Sequence, residues 1–167
     1  MTAEDLWRLP RVGEPEPLPD GKSVVVPVTR YSLDTNQGVT RLWHAPAHAE
    51  RAGTGAGEDP ARPLTADGVS SQSPAVSPDG KRLAYVRRVR FQSVLVVQDL
   101  ASGLEQQVYA HLDRDMQETW AIHGVYPAMG WTKDSTALVF WAGGKIHRLS
   151  LPATLDPSGQ TPGIVAA

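Results

Sequence analysis

A proline-aspartate-glycine turn set directly before an apolar run occurs twice in this chain and survives in worn form a third time. In the clearest copy, Ser77-Pro78-Asp79-Gly80 leads within a few residues to Leu83-Ala84-Tyr85-Val86. When Asp20, Asp79 and Asp134 are aligned, Pro19, Pro78 and Lys133 stand before them and Gly21, Gly80 and Ser135 after them. Four positions past each aspartate come Val24, Leu83 and Leu138, and the next two columns, Val25, Ala84, Val139 and Val26, Tyr85, Phe140, are also apolar. Proline sets φ at the second position of a type I turn, aspartate bonds back to the local backbone, and glycine suits the fourth position. Each turn therefore reverses the chain into a strand. Apolar side chains at consecutive positions predict that both faces of that strand are covered, as in a sheet packed between layers.

Further strands are expected around each turn. Residues 73–76 precede the second turn, and residues 40–43, 94–100 and 145–151 follow the three apolar runs, the last two marked by β-branched residues and alternation. A last strand is expected at 62–65 and 105–110, which brings a unit to four strands, the content of one blade of a β-propeller. The turns lie 59 and 55 residues apart, more than the roughly 40–50 residues of a lean blade. Two insertions account for the excess. Residues 48–60, HAERAGTGAGEDP, are too poor in large apolar side chains to order themselves, whereas 111–127, HLDRDMQETWAIHGVYP, hold several. At the N-terminus Thr2 and Asp5 resemble a capping box, and Pro10 ends a helical turn holding Leu6, Trp7 and Leu9.

The expected fold class is all-β: a partial β-propeller of three blade-like antiparallel sheets with a short N-terminal helical turn. Its expected divisions are an N-terminal segment (1–13), a first unit (14–66), a second (67–110), an insertion (111–127), an incomplete third unit (128–151) and a flexible tail (152–167).

Composition narrows the partners. A net charge of −2 over 167 residues offers no cationic excess for phosphates, so nucleic acid is not expected. The chain has no cysteine, which excludes disulfides, thiolate metal sites and a cysteine nucleophile but leaves the compartment open. The first twenty residues carry acids and four prolines where a signal peptide needs a basic start, and no apolar run approaches the roughly 20 residues that span a bilayer. A soluble chain is expected, without membrane insertion, cytoplasmic as written and periplasmic if an upstream signal has been lost.

The SPDGK turn at 77–81, with its worn copy LPDGK at 18–22, resembles the TolB-like β-propellers, which are related to WD repeats. The opening TAEDLWRLPRVGEPEPLPDGK and the RPLT at 62–65 are similar to the start of the propeller in prolyl-oligopeptidase-type serine peptidases. The stretch LDRDMQETWAIHGVYPAMGW, with FWAGGKIHRL, is more similar to the propeller that precedes the metal-dependent barrel of certain bacterial amidohydrolases. Together these stretches cover most of residues 2–151. The resemblance implies a hydrolase parent, yet for catalysis nothing carries over. The peptidases need a G-x-S-x-G elbow and the amidohydrolases clustered histidines such as H-x-H, and neither string occurs.

No catalytic, cofactor or metal residue is therefore expected; Pro19, Asp20, Gly21, Pro78, Asp79, Gly80, Asp134 and Ser135 are structural turn residues. The leading expectation is a non-catalytic module for binding, gating or assembly beside a hydrolase. The alternative is the N-terminal part of a propeller-containing peptidase or amidohydrolase whose catalytic domain this chain lacks, and a weaker one is a periplasmic interaction module of the TolB kind. The expected partner is protein: the chain's own catalytic domain, or another copy in a homo-oligomer. Three units leave outer faces uncovered, including the surface around Phe140 and Trp141.

Other residue groups fit plainer roles than the chemistry their spacing suggests. His44 and His48 have zinc-pair spacing, but Pro46 lies between them and a third ligand is wanting, so a solvated loop is expected. Asp113, Asp115, Glu118 and His123 match no calcium loop and are expected in a charged inter-blade loop. Of the aromatics Trp120, Tyr126, Trp131 and Trp141, concentrated within 22 residues, Trp131 and Trp141 are expected to fill the space between sheets, and Trp120 fits core packing and a binding platform alike. Arg87, Arg88 and Arg90 are expected on a solvated edge.

Overall fold

The computed structural model describes residues 2–47, 61–90, 92–113, 128–156 and 164–166. They fall into two compact units, Met1–Pro74 and Ala75–Ala167. Among the described residues no helix is long and apolar enough to cross a membrane.

The first unit begins with helix α1 (Ala3–Arg8). Its cap is reciprocal: the Asp5 amide donates to Thr2 Oγ1 at 3.2 Å and the Thr2 amide to Asp5 Oδ2 at 2.7 Å, so two otherwise orphaned donors are satisfied. Trp7 packs edge-on against Tyr31 at 5.4 Å. The Arg11 guanidinium lies over both rings, 5.2 and 4.7 Å from their centroids.

Strands β1 (Arg11–Val12), β2 (Glu16–Pro17), β3 (Ser23–Ser32), β4 (Gln37–Pro46) and β5 (Arg62–Pro63) form the first antiparallel sheet, in the order β1-β3-β4-β5 with β2 also on β3. Pro27 explains why its first strand is broken in two. Arg11 and Val12 pair with Thr29 and Val28, and Glu16 and Pro17 pair with Val25 and Val24. Between these pairs Pro27 has no N–H to donate, so regular pairing fails there and the facing chain bulges. The Gly13 amide still donates to the Pro27 carbonyl at 2.8 Å. A Cβ on Gly13 would sit 2.8 Å from Pro27 Cγ, which is why glycine fits this approach.

The second sheet runs β6 (Ser71–Val76), β7 (Arg82–Val89), β8 (Gln92–Asp99), β9 (Glu105–Tyr109). The third runs β10 (Met129–Trp131), β11 (Ala137–Ala142), β12 (Lys145–Ser150), β13 (Ile164–Ala166). Gly143 and Gly144, at φ 58° and 69°, join β11 to β12 in the manner of a type I′ hairpin. Within Ala75–Ala167 the second and third sheets share one core. Ala84, Val86, Leu95, Val97 and Val108 come from one sheet and Leu138, Phe140, Ala142 and Leu149 from the other. Each large side chain among them contributes roughly 1.5–3 kcal/mol relative to exposure.

Two expectations need correction. The apolar runs predict that β3, β7 and β11 are covered on both faces, but of these three only β7 is, with residues 83–86 at most 1% exposed. In β11, Phe140 is 2% exposed and Trp141 39%; in β3, Val25 is fully buried while Val24 and Val26 are half-buried. A run of apolar residues suits a strand to a layer on each side without supplying those layers. The third unit, expected to stop short at Leu151 before a flexible tail, has a fourth strand: β13 pairs with β12 at residues 147–149. The stretch after Leu151 is also anchored, for Leu155 is buried, the Asp156 amide donates to Gln106 Oε1 at 3.1 Å, and Arg82 donates to the Pro152 and Ala153 carbonyls. The insertion at 48–60 lies outside the described residues, as does 114–127 within the second insertion.

Candidate interaction surfaces

The three aspartates of the repeat do the same work. Asp79 Oδ1 accepts from the Lys81 amide at 3.1 Å and the Ser77 hydroxyl at 2.6 Å. Asp134 Oδ1 accepts from the Thr136 amide at 3.2 Å and the Thr132 hydroxyl at 2.6 Å. Asp20 accepts from the Lys22 and Ser23 amides at 2.8 and 3.0 Å, and from the Ser23 hydroxyl. Leu18 has no hydroxyl where Ser77 and Thr132 have theirs, and Ser23, at the far end of the turn, supplies one instead.

Gly21, Gly80 and Ser135 donate backbone bonds to Leu18, Ser77 and Thr132 at 3.1, 2.8 and 2.9 Å. All three are left-handed, at φ 66°, 71° and 59°. Pro19 and Pro78 occupy the second position of their turns. Ser135 Oγ accepts from the Asp79 amide at 3.1 Å, tying the turn of the third sheet to that of the second. The Thr132 hydroxyl, then the Thr136 amide, hold the Asp134 carboxyl at about 2. The Ser23 hydroxyl leads in lowering Asp20; at Asp79 burial pulls upward, and the bonds from Ser77 and Lys81 overcome it.

Arg87 is not on a solvated edge. Its guanidinium grips Glu105 with both ends, 2.7 Å from each oxygen, and also donates to the Tyr85 hydroxyl at 2.7 Å, which in turn donates to Glu105 Oε1 at 2.7 Å. The two charged side chains are 18% and 28% exposed. Burial pushes the Tyr85 phenol far up. Burial also works against the Glu105 carboxylate, but the bonds from Arg87 and Tyr85 outweigh it and leave its pKa below the ordinary value. Arg88 instead donates to the Arg90 carbonyl at 2.8 Å in the following hairpin. Glu105 has no counterpart in the repeat and was missed from sequence, its link to Arg87 reaching across β8.

At one end of the second and third sheets the rings of Tyr109, His111, Phe140 and His147 gather. Tyr109 lies 5.9, 5.0 and 5.6 Å from the other three, and Phe140 stacks on His147 at 5.4 Å. Asp113 accepts from the Gly143 amide at 2.9 Å. Among the described residues no group of three or more His, Cys, Asp or Glu side chains could hold a metal ion. His44 lies in β4 opposite Val25 and Arg62. His48, Asp115, Glu118, His123, Trp120 and Tyr126 lie outside the described residues.

Among the described residues, two sheets carry partly exposed apolar side chains on one face. On the third sheet Trp141 and Ile146 form a cross-strand pair, 39% and 61% exposed, beside the half-buried Val139. Trp141 thus does not fill a space between the two sheets of its own unit, and Phe140, expected on the outer surface with it, points into the core. On the first sheet Val24, Val26 and Val28 stand opposite Ala45, Trp43 and Arg41, all half-buried, and Val12, paired with Val28, is 67% exposed.

No protein-family model and no curated protein sequence matches the chain. Solved structures do. TolB from Acinetobacter baumannii is 17% identical with a TM-score of 0.57, the match covering 86% of this chain and 30% of that one. The β-propeller domain of the Trilobed protease from Pyrococcus furiosus is 16% identical with a TM-score of 0.57, covering 96% and 44%. The acylaminoacyl peptidase of Pyrococcus horikoshii is 18% identical with a TM-score of 0.57, covering 81% and 17%. The chain spans less than half the length of each. The likeness is one of fold: the three sheets are blades of a TolB-like β-propeller, resembling those of peptidase propellers.

Proposed function

We propose that this chain, a TolB-like propeller by fold, is a non-catalytic module for binding, gating or assembly beside a hydrolase. The observation that carries the reading is the exposed pair Trp141 and Ile146 on the third sheet. Trp141 occupies the repeat position of Val86, which is 1% exposed in the second sheet. Contiguous apolar surface of this kind marks an association site. The turn aspartates and Glu105 are engaged by their own neighbours, which suits a scaffold better than general acid-base chemistry. Incubating the purified protein with a panel of peptide and amide substrates tests the reading. No turnover is expected, and turnover that survives rigorous purification overturns it.

A second reading is favoured by the matches to peptidase structures, of which this chain covers 17% and 44%. On that reading the chain is the propeller portion of a larger serine peptidase or amidohydrolase. An immunoblot of native cells with antibody to residues 128–151 separates the two. A band at 18.0 kDa supports the first reading, and a much heavier band the second.

A further inference from the structure

We propose that the outer face of the third sheet receives the outer face of the first sheet of a second copy of this chain, head to tail. The proposal rests on reading the chain as an assembly module. Its starting point is the interface already built within Ala75–Ala167, where Ala84 and Val86 share a core with Leu138 and Phe140. In the alignment of the three turns, Ala84 and Val86 correspond to Val139 and Trp141, while Leu138 and Phe140 correspond to Val24 and Val26. The packed interface has two halves, therefore, and each half recurs once more with its apolar side chains partly uncovered.

The recurring halves are complementary in kind. One offers Val139, Trp141 and Ile146; the other offers Val24, Val26 and Trp43, with Val12 at its border. One arginine on each is already held: Arg148 donates to Ser150 Oγ at 3.0 Å, and Arg41 to the Thr65 carbonyl at 3.1 and 2.8 Å. Joining the faces thus continues the interface between the second and third sheets from one copy into the next. A head-to-tail contact of this sort either closes into a ring or runs on as a fibre. Two copies of three sheets make six, within the range of roughly 4–8 blades at which propellers close, so closure is expected.

Light scattering coupled to size exclusion, with sedimentation velocity across a concentration series, tests this on the full chain. The expected mass is twice 18.0 kDa. Trp141→Arg and Val26→Arg each remove one half, and each should raise the dissociation constant at least about thirtyfold, the effect of losing a central anchor. Mixed together, the two variants should associate more tightly than either alone, through the one contact that keeps both native halves, yet more weakly than the unaltered chain, because the second contact of a two-copy ring then sets the two introduced arginines against each other. Circular dichroism checks that both fold; if either does not, Ile146→Ser and Val24→Thr replace them. A mass of 18.0 kDa at every concentration, a dimer indifferent to both substitutions, or mixed variants that associate no more tightly than either alone would each overturn the proposal. Those results leave the non-catalytic reading standing, whereas amide turnover would remove that reading and leave the dimer untouched.

Discussion

The indole Nε1 of Trp131 donates to the carbonyl of Ala75 across 2.9 Å, linking β10 of the third sheet to β6 of the second. Ala75 is 8% exposed, so its carbonyl has little access to water in place of that donor. Trp131→Phe keeps most of the ring and removes the N–H. A loss of about 1–3 kcal/mol is expected, the cost of leaving a buried acceptor unpaired. Urea unfolding measures it, and a loss below about 0.5 kcal/mol would mean that water takes the donor's place.

Some of this architecture was legible because turn chemistry is local. Pro78, Asp79 and Gly80 announce the hairpin by φ preference and short-range bonding, and the apolar columns behind them mark β3, β7 and β11. Sidedness was not legible. Residues 83–86 and 138–141 read alike, but both faces of the former are buried, whereas Trp141 is 39% exposed. That difference depends on other segments of chain. Likewise Arg87, read from its own neighbourhood, belongs to an arginine-rich edge, and only the pairing of β8 with β9 brings Glu105 to it. Strand β13 has three residues, too few for a periodic signal.

Ser135 carries both a strain and a bond. Its φ of 59° is unfavourable for a side chain, whereas its Oγ accepts from the Asp79 amide. Ser135→Ala should destabilise, because it loses the bond and keeps the strain. Ser135→Gly loses the same bond but relieves the backbone, so it should be more stable than the alanine variant by about 1 kcal/mol. Equal melting temperatures for the two variants would show that this turn tolerates a side chain at no cost.

The turn aspartates predict an acid limit. Asp134 is held at about 2 against an ordinary 3.8, and Asp20 and Asp79 are shifted in the same direction. A carboxylate with a lower pKa folded than unfolded contributes stability that is complete above the unfolded value and is lost as pH falls through the folded one. The melting temperature should therefore decline from about pH 4 towards pH 2. Asp134→Asn should melt lower than the natural protein near neutrality, and the gap should narrow across that window. A gap that stays constant down to the acid end would assign the turn's stability to something other than the carboxylate charge.

The Arg87 and Glu105 pair should be costly to break and cheap to remove entirely. Glu105→Gln leaves the guanidinium, only 18% exposed, without its countercharge and weakens the bond from the Tyr85 hydroxyl. A destabilisation of about 1.5–3 kcal/mol is expected, as for hydrogen bonds to charged groups. Replacing both partners by apolar side chains, Arg87→Met with Glu105→Leu, should recover most of that loss, because desolvation of the two ions disappears with their attraction. Urea is the suitable denaturant, since guanidinium salts would screen the pair under study. The double-mutant cycle should give a coupling of at least about 1 kcal/mol, and strictly additive losses would show that the pair contributes packing alone.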